Sequence, residues 1–279
     1  MSLAAEDFRY ISDLVHRHSA IVLEPGKEYL VESRLTPVLR DEGSGSIAHL
    51  VQRLQSRREP TLTTKVVEAM TTNETSWFRD QHPFDLFAGH LLDTLQSTRN
   101  AERSIDVWCA AASTGQEPYS LAMLLQDWLL AHPGWRGRIV ATDLDEQVLT
   151  RARTGRYSQL EVNRGLPVQR LVRHFSRAGT EWELDEGLRR MVEFRQLNLA
   201  TPFPPTTGTY DVVFCRNVLI YFDLATKRAI LGRLKQVLRP GGFLVLGGAE
   251  TTLNIDEDFE RVQIERATCY RVRSGKARS

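Results

Sequence analysis

The stretch Ile105–Leu125, IDVWCAAASTGQEPYSLAMLL, joins a β-branched and aromatic run to a turn of very small side chains and then to a helical pattern. Ile105–Cys109 reads as a short buried strand. No side chain from Ala110 to Gly115 is larger than that of Thr114. Pro118 suits the first turn of a helix, where its missing N–H costs nothing. A turn kept free of bulk lets a ligand approach the backbone closely. At the carboxyl end of the first strand of an open α/β sheet, such a ligand is usually nucleotide-like. Tight packing alone explains the turn equally well. The segment lacks the G-x-G-x-x-G pattern of a dinucleotide site and any Gly-Lys-Ser/Thr phosphate loop, and only Gly115 supplies a positive φ freely.

Three further segments carry residues fit for chemistry. ATDLDE (Ala141–Glu146) ends a second strand on Asp143, where an acid accepts hydrogen bonds from ribose hydroxyls. Capping the following helix is the alternative use of that carboxylate. FCRNVLIYFD (Phe214–Asp223) places Arg216, Asn217 and Tyr221 after a third parallel strand, although Tyr221 and Phe222 would also serve to pack the next helix. The Asn/Asp-Pro-Pro-Tyr signature of enzymes that methylate amino nitrogens is absent there, which argues against that chemistry. TTNETSWFRD (Thr71–Asp80) interleaves Asn73, Thr75 and Arg79 with Trp77 and Phe78, a pattern of a junction buried against something rather than a plain linker.

The elements that position these residues follow from periodicity. Asp7–His18 puts Phe8, Ile11, Leu14 and Val15 on one helical face, and Lys27–Leu39 carries Leu30, Val31, Leu35 and Val38. Pro37 is expected to kink or split that second helix. Ser46 is the expected N-cap of a helix over Ile47–Gln55, and Pro60 opens a fourth helix through Met70. From about residue 100 the pattern turns to strands alternating with helices. Strands are expected at Ile105–Cys109, Arg138–Thr142, Tyr210–Cys215 and Phe243–Gly247. Helices are expected at Pro118–Leu130, Glu146–Arg153 and Leu224–Leu238. This alternation predicts a doubly wound, mostly parallel sheet. Phe259–Val262 and Thr268–Val272 suit a closing antiparallel hairpin. Between Tyr157 and Leu199 the alternation breaks, and runs near Glu181–Leu184 and Arg190–Phe194 suit a small antiparallel sheet.

The 279 residues allow a large and a small domain, and a net charge of +1 gives no broad nucleic-acid surface. The longest apolar runs fall short of a membrane span, and the acidic, amphipathic MSLAAEDFRYISDLV is unlike a secretory leader. Cys109, Cys215 and Cys269 lie far apart and form no ligand pair, so no metal site is expected.

The motifs TNETSWFR, AAASTGQEPYS, ATDLD, Asn198–Leu199 and FCRNVLIYF, in this order and spacing, resemble those of the chemotaxis receptor glutamate methyltransferase family, CheR. The resemblance covers nearly the whole chain. It implies an all-helical domain over residues 1–75 and, over 76–279, a class I (Rossmann-like) methyltransferase domain with a small antiparallel β insertion at about 174–197. It implies binding of S-adenosyl-L-methionine, release of S-adenosyl-L-homocysteine, and γ-methyl esterification of chemoreceptor glutamates in sensory adaptation.

Family positions that contact the cofactor fall on Asn73, Thr75, Arg79, Glu117, Asp143, Asn198, Leu199, Arg216 and Asn217. Arg79 and Tyr221 match residues beside the reacting methyl. Arg34 and Arg40 match basic positions that hold the receptor helix, with ordinary solvated charges as the competing reading. The implied setting is a cytoplasmic monomer acting on the cytoplasmic helices of chemoreceptors, with no nucleic acid, no membrane insertion and an unidentified regulatory partner. Some family members dock a receptor's C-terminal pentapeptide on the insertion by strand addition and carry a Gly-x-Gly there. The corresponding run HFSRAGTEWELDEGLRRM lacks it, which predicts weak or absent docking. A methyltransferase of another substrate and a non-catalytic cofactor-binding scaffold are the alternative functions.

Overall fold

The computed structural model describes residues 3–56 and 59–273. The ends of the two expected domains, residues 1–2 and 274–279, lie outside the described residues. The chain divides into two compact units. One gathers the chain up to Thr72 with Tyr221–Thr226, and the other gathers Asn73–Ile220 with the chain from Lys227.

The first unit is helical: α1 (Ala5–Ser19), α2 (Glu28–Asp41), α3 (Ile47–Ser56) and α4 (Pro60–Ala69). Phe8, Ile11, Leu14 and Val15 of α1 are buried, as their i, i+3, i+4 spacing requires. The Ser46 hydroxyl accepts the His49 N–H (3.1 Å) and caps α3, and Pro60 stands in the first turn of α4. Contrary to expectation, Pro37 does not split α2. It lies on the exposed side, while Val31, Leu35 and Val38 anchor the opposite face in the core. The one backbone bond that proline forfeits therefore falls where water can replace it.

The second unit opens with α5 (His82–Leu86), a π-helical turn (Phe87–Leu91) and α6 (Leu92–Thr98). Then follow β1 (Ser104–Cys109), α7 (Gln116–Ala131), β2 (Arg136–Asp143) and α8 (Glu146–Thr154). The insertion comprises β3 (Arg156–Ser158), α9 (Gln159–Asn163), α10 (Val168–His174), β4 (Phe175–Ala178), β5 (Glu181–Leu184) and α11 (Glu186–Arg190). The unit closes with β6 (Val192–Gln196), β7 (Tyr210–Cys215), α12 (Leu224–Val237), β8 (Leu238–Leu246), β9 (Phe259–Ile264) and β10 (Ala267–Val272).

The main sheet has the order β6-β2-β1-β7-β8-β10-β9, and β3-β5-β4 forms a small antiparallel sheet. Strands β6 through β8 are parallel, and β10 and β9 return antiparallel. Burial on both faces explains the apolar runs 107–109, 212–215 and 243–246 within β1, β7 and β8. The run Arg190–Phe194 was expected in the small sheet, but the strand that forms there is β6. It pairs parallel with β2 instead, Ile139 opposite Val192 and Asp143 opposite Gln196. Its alternating pattern is that of an edge strand, half covered, which the sequence cannot assign to one sheet or the other.

The chain leaves β1 toward β2 on one side and reaches β7 and β8 on the other. The carboxyl ends of β1 and β7, adjacent through the Cys109–Phe214 pairing, therefore mark the topological switch point, where open α/β sheets bind ligands. At the opposite end of the sheet the fully buried Asp211 accepts from Arg99 (2.7 Å), Arg239 (2.7 Å) and the Asp106 N–H (2.9 Å), which locks β1 against β7.

Candidate functional site

Two turns meet at the switch point. The first, Ala110–Gly115, leaves β1 and enters α7 with Gly115 as its N-cap at φ 97°. Ser113 also takes a left-handed φ of 49°, so Gly115 is not the sole residue of positive φ there. Its backbone N–H donates to Asp143 Oδ2 (2.8 Å) and its hydroxyl to the Asn73 carbonyl (2.7 Å). These bonds hold a conformation that a β-carbon disfavours.

Asp143 also accepts the Asp145 N–H at Oδ1 (3.1 Å). The cap of α8 is Asp145, which accepts from the Gln147 and Val148 N–H groups. Helix capping is therefore not the task of Asp143. Burial pushes the Asp143 carboxyl above its usual range, and the Ser113 and Asp145 N–H groups pull it part of the way back.

Residues 73–80 run beside these turns as an irregular segment fastened at several points. Asn73 Nδ2 donates to Asp145 Oδ2 (2.8 Å), the Trp77 N–H to the Arg164 carbonyl (3.1 Å), and the Phe78 N–H to the Ser120 hydroxyl (3.2 Å). Arg79 is partly exposed and donates to the Glu74 carbonyl (3.2 Å). Phe78, Asp80 and Gln81 all have positive φ, as does Asn217 in the second turn. Non-glycine residues in this region cluster where surrounding structure holds a functional constellation in place.

The second turn leaves β7 with Arg216, whose side chain is fully buried. Its Nη1 donates to Glu117 Oε2 (2.6 Å), and its Nη2 to Asp80 Oδ2 and to the Arg79 carbonyl (both 2.8 Å). Its Nε–H is buried with no acceptor among the described residues. Glu117 takes a second bond from the Cys109 thiol (2.9 Å). Burial, then the neighbouring Glu117 charge, pushes that thiol far up, and burial does the same to Cys215. Neither sulfur offers a thiolate nucleophile at neutral pH.

The structure thus brings these residues into two bonded clusters, Asn73 with Asp143 through Ser113 and Asp145, and Arg216 with Glu117, Asp80 and the Arg79 backbone. Leu199 is buried and its carbonyl accepts from Arg233 (2.6 Å), while Asn198 Oδ1 accepts the Ala200 N–H (2.9 Å). A cleft of about 480 Å³ takes Asn73 and Thr75 together with Thr114, Gln116, Asp145 and Arg151 in its lining, but none of Glu117, Asp143, Asn198, Arg216 or Asn217. It borders the Asn73–Asp145 cluster on the α8 side, whereas the fold's switch point lies at the carboxyl ends of β1 and β7.

Tyr221 falls in the segment that groups with the helical unit, where its carbonyl accepts the Val22 N–H (3.0 Å). Arg34 is committed to the Met70 carbonyl and the Thr72 hydroxyl (2.7 Å), whereas Arg40 is exposed. Ser113 and Asp145 belong to the first cluster and Asp80 to the second without having been singled out by sequence. Asp145 alone carried a signal, as an acid directly before a helix.

The donor set fits a nucleoside bearing positive charge. Asp143 offers carboxylate oxygens suited to a vicinal diol, and the Arg216 Nε–H, without an acceptor among the described residues, suits an amino-acid carboxylate. A family model described as CheR methyltransferase, all-alpha domain, matches residues 6–71, and one described as CheR methyltransferase, SAM binding domain, matches residues 73–268. Over 98% of this chain and 100% of the relative, the sequence is 41% identical to chemotaxis protein methyltransferase 1 of Pseudomonas aeruginosa. It is 38% identical, with the same coverage, to chemotaxis protein methyltransferase Cher2 of Pseudomonas putida. It is 36% identical, over 93% of this chain and 89% of the relative, to the chemotaxis protein methyltransferase of Escherichia coli.

Proposed function

The chain belongs to the CheR methyltransferase family, and from that premise we propose that it transfers the methyl group of S-adenosylmethionine to glutamate side chains of chemoreceptors, forming γ-glutamyl methyl esters. The observation that carries this reading is the Asp143 carboxylate held at the switch point by the Ser113 N–H (2.8 Å). It leaves an anionic acceptor for ribose hydroxyls where the fold binds ligands. Asn73, Thr75, Glu117, Asn198, Leu199, Arg216 and Asn217 complete the cofactor's surroundings in this reading.

The cofactor supplies an electrophilic methyl group on a sulfonium. A glutamate side chain is ionised at neutral pH, with an ordinary pKa of about 4.3, so no general base is needed. Nucleophile and electrophile lose charge together, so excluding water and aligning oxygen, carbon and sulfur are what the protein contributes. Arg79 guides the carboxylate without a tight pairing that would blunt it, and Tyr221 donates a hydrogen bond that orients it. The substrate is a cytoplasmic receptor helix, met by a monomer in the cytoplasm. Arg40 offers the freer cation to such a helix, because Arg34 is already bonded within its own unit. The insertion lacks a Gly-x-Gly, so the receptor tail is not needed as a tether.

The test is methyl transfer from labelled cofactor to receptor membranes, followed by mild alkali. The label is expected to leave as methanol. Alkali-stable label would mean a different acceptor atom, and tight cofactor binding with no transfer would mean a scaffold. Asp143→Ala is expected to weaken binding of S-adenosylhomocysteine by about 1–3 kcal/mol in calorimetry. Because burial raises the Asp143 pKa, protons compete with the ribose sooner than at an ordinary aspartate. Wild-type affinity is therefore expected to be flat near neutrality and to begin falling on acidification at a higher pH than an unperturbed carboxylate would dictate. Unchanged affinity in Asp143→Ala removes this residue from the site.

A further inference from the structure

The turn after β7 is held from a second side, by a residue that no motif contains. Glu250 follows the end of β8 in the sequence Gly247-Gly248-Ala249-Glu250, and its own N–H closes a turn onto the Gly247 carbonyl (2.9 Å). Its Oε1 accepts the Val218 N–H (2.9 Å) and the Leu219 N–H (2.7 Å). Its Oε2 accepts the Asn217 N–H (2.8 Å) and the Gly247 N–H (2.7 Å). Three consecutive N–H groups of one turn thus converge on a single carboxylate, an arrangement that ordinarily binds an external anion.

Two features show that the approach is tight. A β-carbon on Gly247 would lie 2.7 Å from Glu250 Oε2 and 2.9 Å from both nitrogens of Asn217, so only glycine admits this closure. Asn217 itself is held at φ 55°. Without an acceptor, the N–H groups of the partly buried Val218 and the buried Leu219 would lack partners, and Asn217 would be free to leave its left-handed conformation. A carboxylate has about four lone-pair sites, and all are used here. Glu250 consequently has none left for substrate or cofactor. Its effect on chemistry passes through the turn.

We propose that Glu250 is the positioning residue of the cofactor site, its carboxylate fixing the 217–219 backbone so that Arg216 and Asn217 are presented in binding geometry before the cofactor arrives. This rests on the reading that Arg216 and Asn217 hold the cofactor. Arg216 is fixed through its side chain by Glu117, and the residues after it are fixed through their backbone by Glu250.

The experiment compares Glu250→Gln, Asn217→Ala and the double variant in the full chain. Affinity for S-adenosylhomocysteine is read by calorimetry, and separate KM values are read for cofactor and receptor. Glutamine keeps the shape but turns an amide NH₂ toward two N–H donors. Glu250→Gln is expected to weaken cofactor affinity about tenfold, with the receptor KM unchanged. The double variant is expected to match the weaker single variant within about twofold, since both act on one turn. A merely structural role would lower the active fraction and kcat and leave both KM values alone.

Asn217→Ala without effect overturns the reading beneath the proposal. Asn217→Ala with an effect and Glu250→Gln without one overturns the proposal alone, as do fully additive losses. Amide hydrogen exchange on the unaltered protein tests the same point if Glu250→Gln does not fold. The 217–219 amides are expected to be protected before cofactor is added. Fast exchange that slows only on adding S-adenosylhomocysteine overturns the proposal.

Discussion

Arg216→Met is expected to cost the folded chain about 3–5 kcal/mol, the penalty for stranding a buried charge by removing its partner. Glu117 would be left 10% exposed beside a thiol, its 2.6 Å bond to the guanidinium gone. Asp80 bears less of the loss, because its side chain is 54% exposed and water can replace the arginine. The guanidinium also lies 5.5 Å from the centre of the Phe84 ring, a contact methionine keeps in part. The double variant Glu117→Gln/Arg216→Met should recover much of the stability, since replacing both members of a buried pair is often close to neutral. It should not recover cofactor binding, if both side chains face the cofactor as proposed. Arg216→Lys should fail as well, because one ammonium cannot reproduce two nitrogens aimed at Glu117 and at the Asp80 carboxylate and Arg79 carbonyl. Urea unfolding of the three variants checks this. A loss under about 1 kcal/mol for Arg216→Met would show that the pair is solvated and not the underside of the site.

The pair illustrates what can be read from sequence and what cannot. Tyr210–Cys215 keeps its expected bounds because a strand buried on both faces leaves an apolar run, here 212–215, behind the paired Asp211. The first four helices were legible because each carries one apolar face, and a capping serine opens the third and a proline the fourth. Arg216 came forward from its place at the end of a strand, and Glu117 only through a family pattern. Nothing in their own spacing tells that two charges 99 residues apart pair in the core. The expectation for Arg190–Phe194 went astray because alternation marks a half-covered strand without naming its neighbour. The left-handed residues Phe78, Asp80, Gln81, Ser113 and Asn217 carry no local signal at all. Their conformations are imposed by hydrogen bonds from elsewhere in the fold, such as Ser113 to Asp143 and Asn217 to Glu250.

Sites built in this way depend on residues that touch no ligand, and Gly165 is the sharpest case. It sits at φ 91° in the turn between α9 and α10, and a β-carbon there would lie 2.1 Å from the Trp77 carbonyl oxygen. That oxygen cannot simply retreat. The Trp77 N–H is bonded to Arg164, and its ring is packed edge-on against Tyr157 (4.9 Å) and Phe175 (5.5 Å) with 1% exposure. Gly165→Ala is therefore expected to lose about 2–5 kcal/mol, from left-handed strain together with overpacking.

The displacement would run along the segment that carries Asn73, Thr75 and Arg79, which is anchored on its other flank by Ser120 and Arg216. A shift of about 1 Å there should cut methyl transfer on the order of 10²-fold even in the molecules that remain folded. Gly179→Ala separates the two causes. Gly179 also has a positive φ, 65°, but a β-carbon on it would meet nothing within 4 Å. It should lose only the strain of about 1–2 kcal/mol and keep its turnover per folded molecule. Urea unfolding gives the stability of each variant, and turnover normalised to calorimetric binding stoichiometry gives the activity. Equal effects of the two substitutions would mean that the Trp77 contact plays no part and that the 73–80 segment is positioned by its bonds to Asp145, Ser113, Ser120 and Arg216.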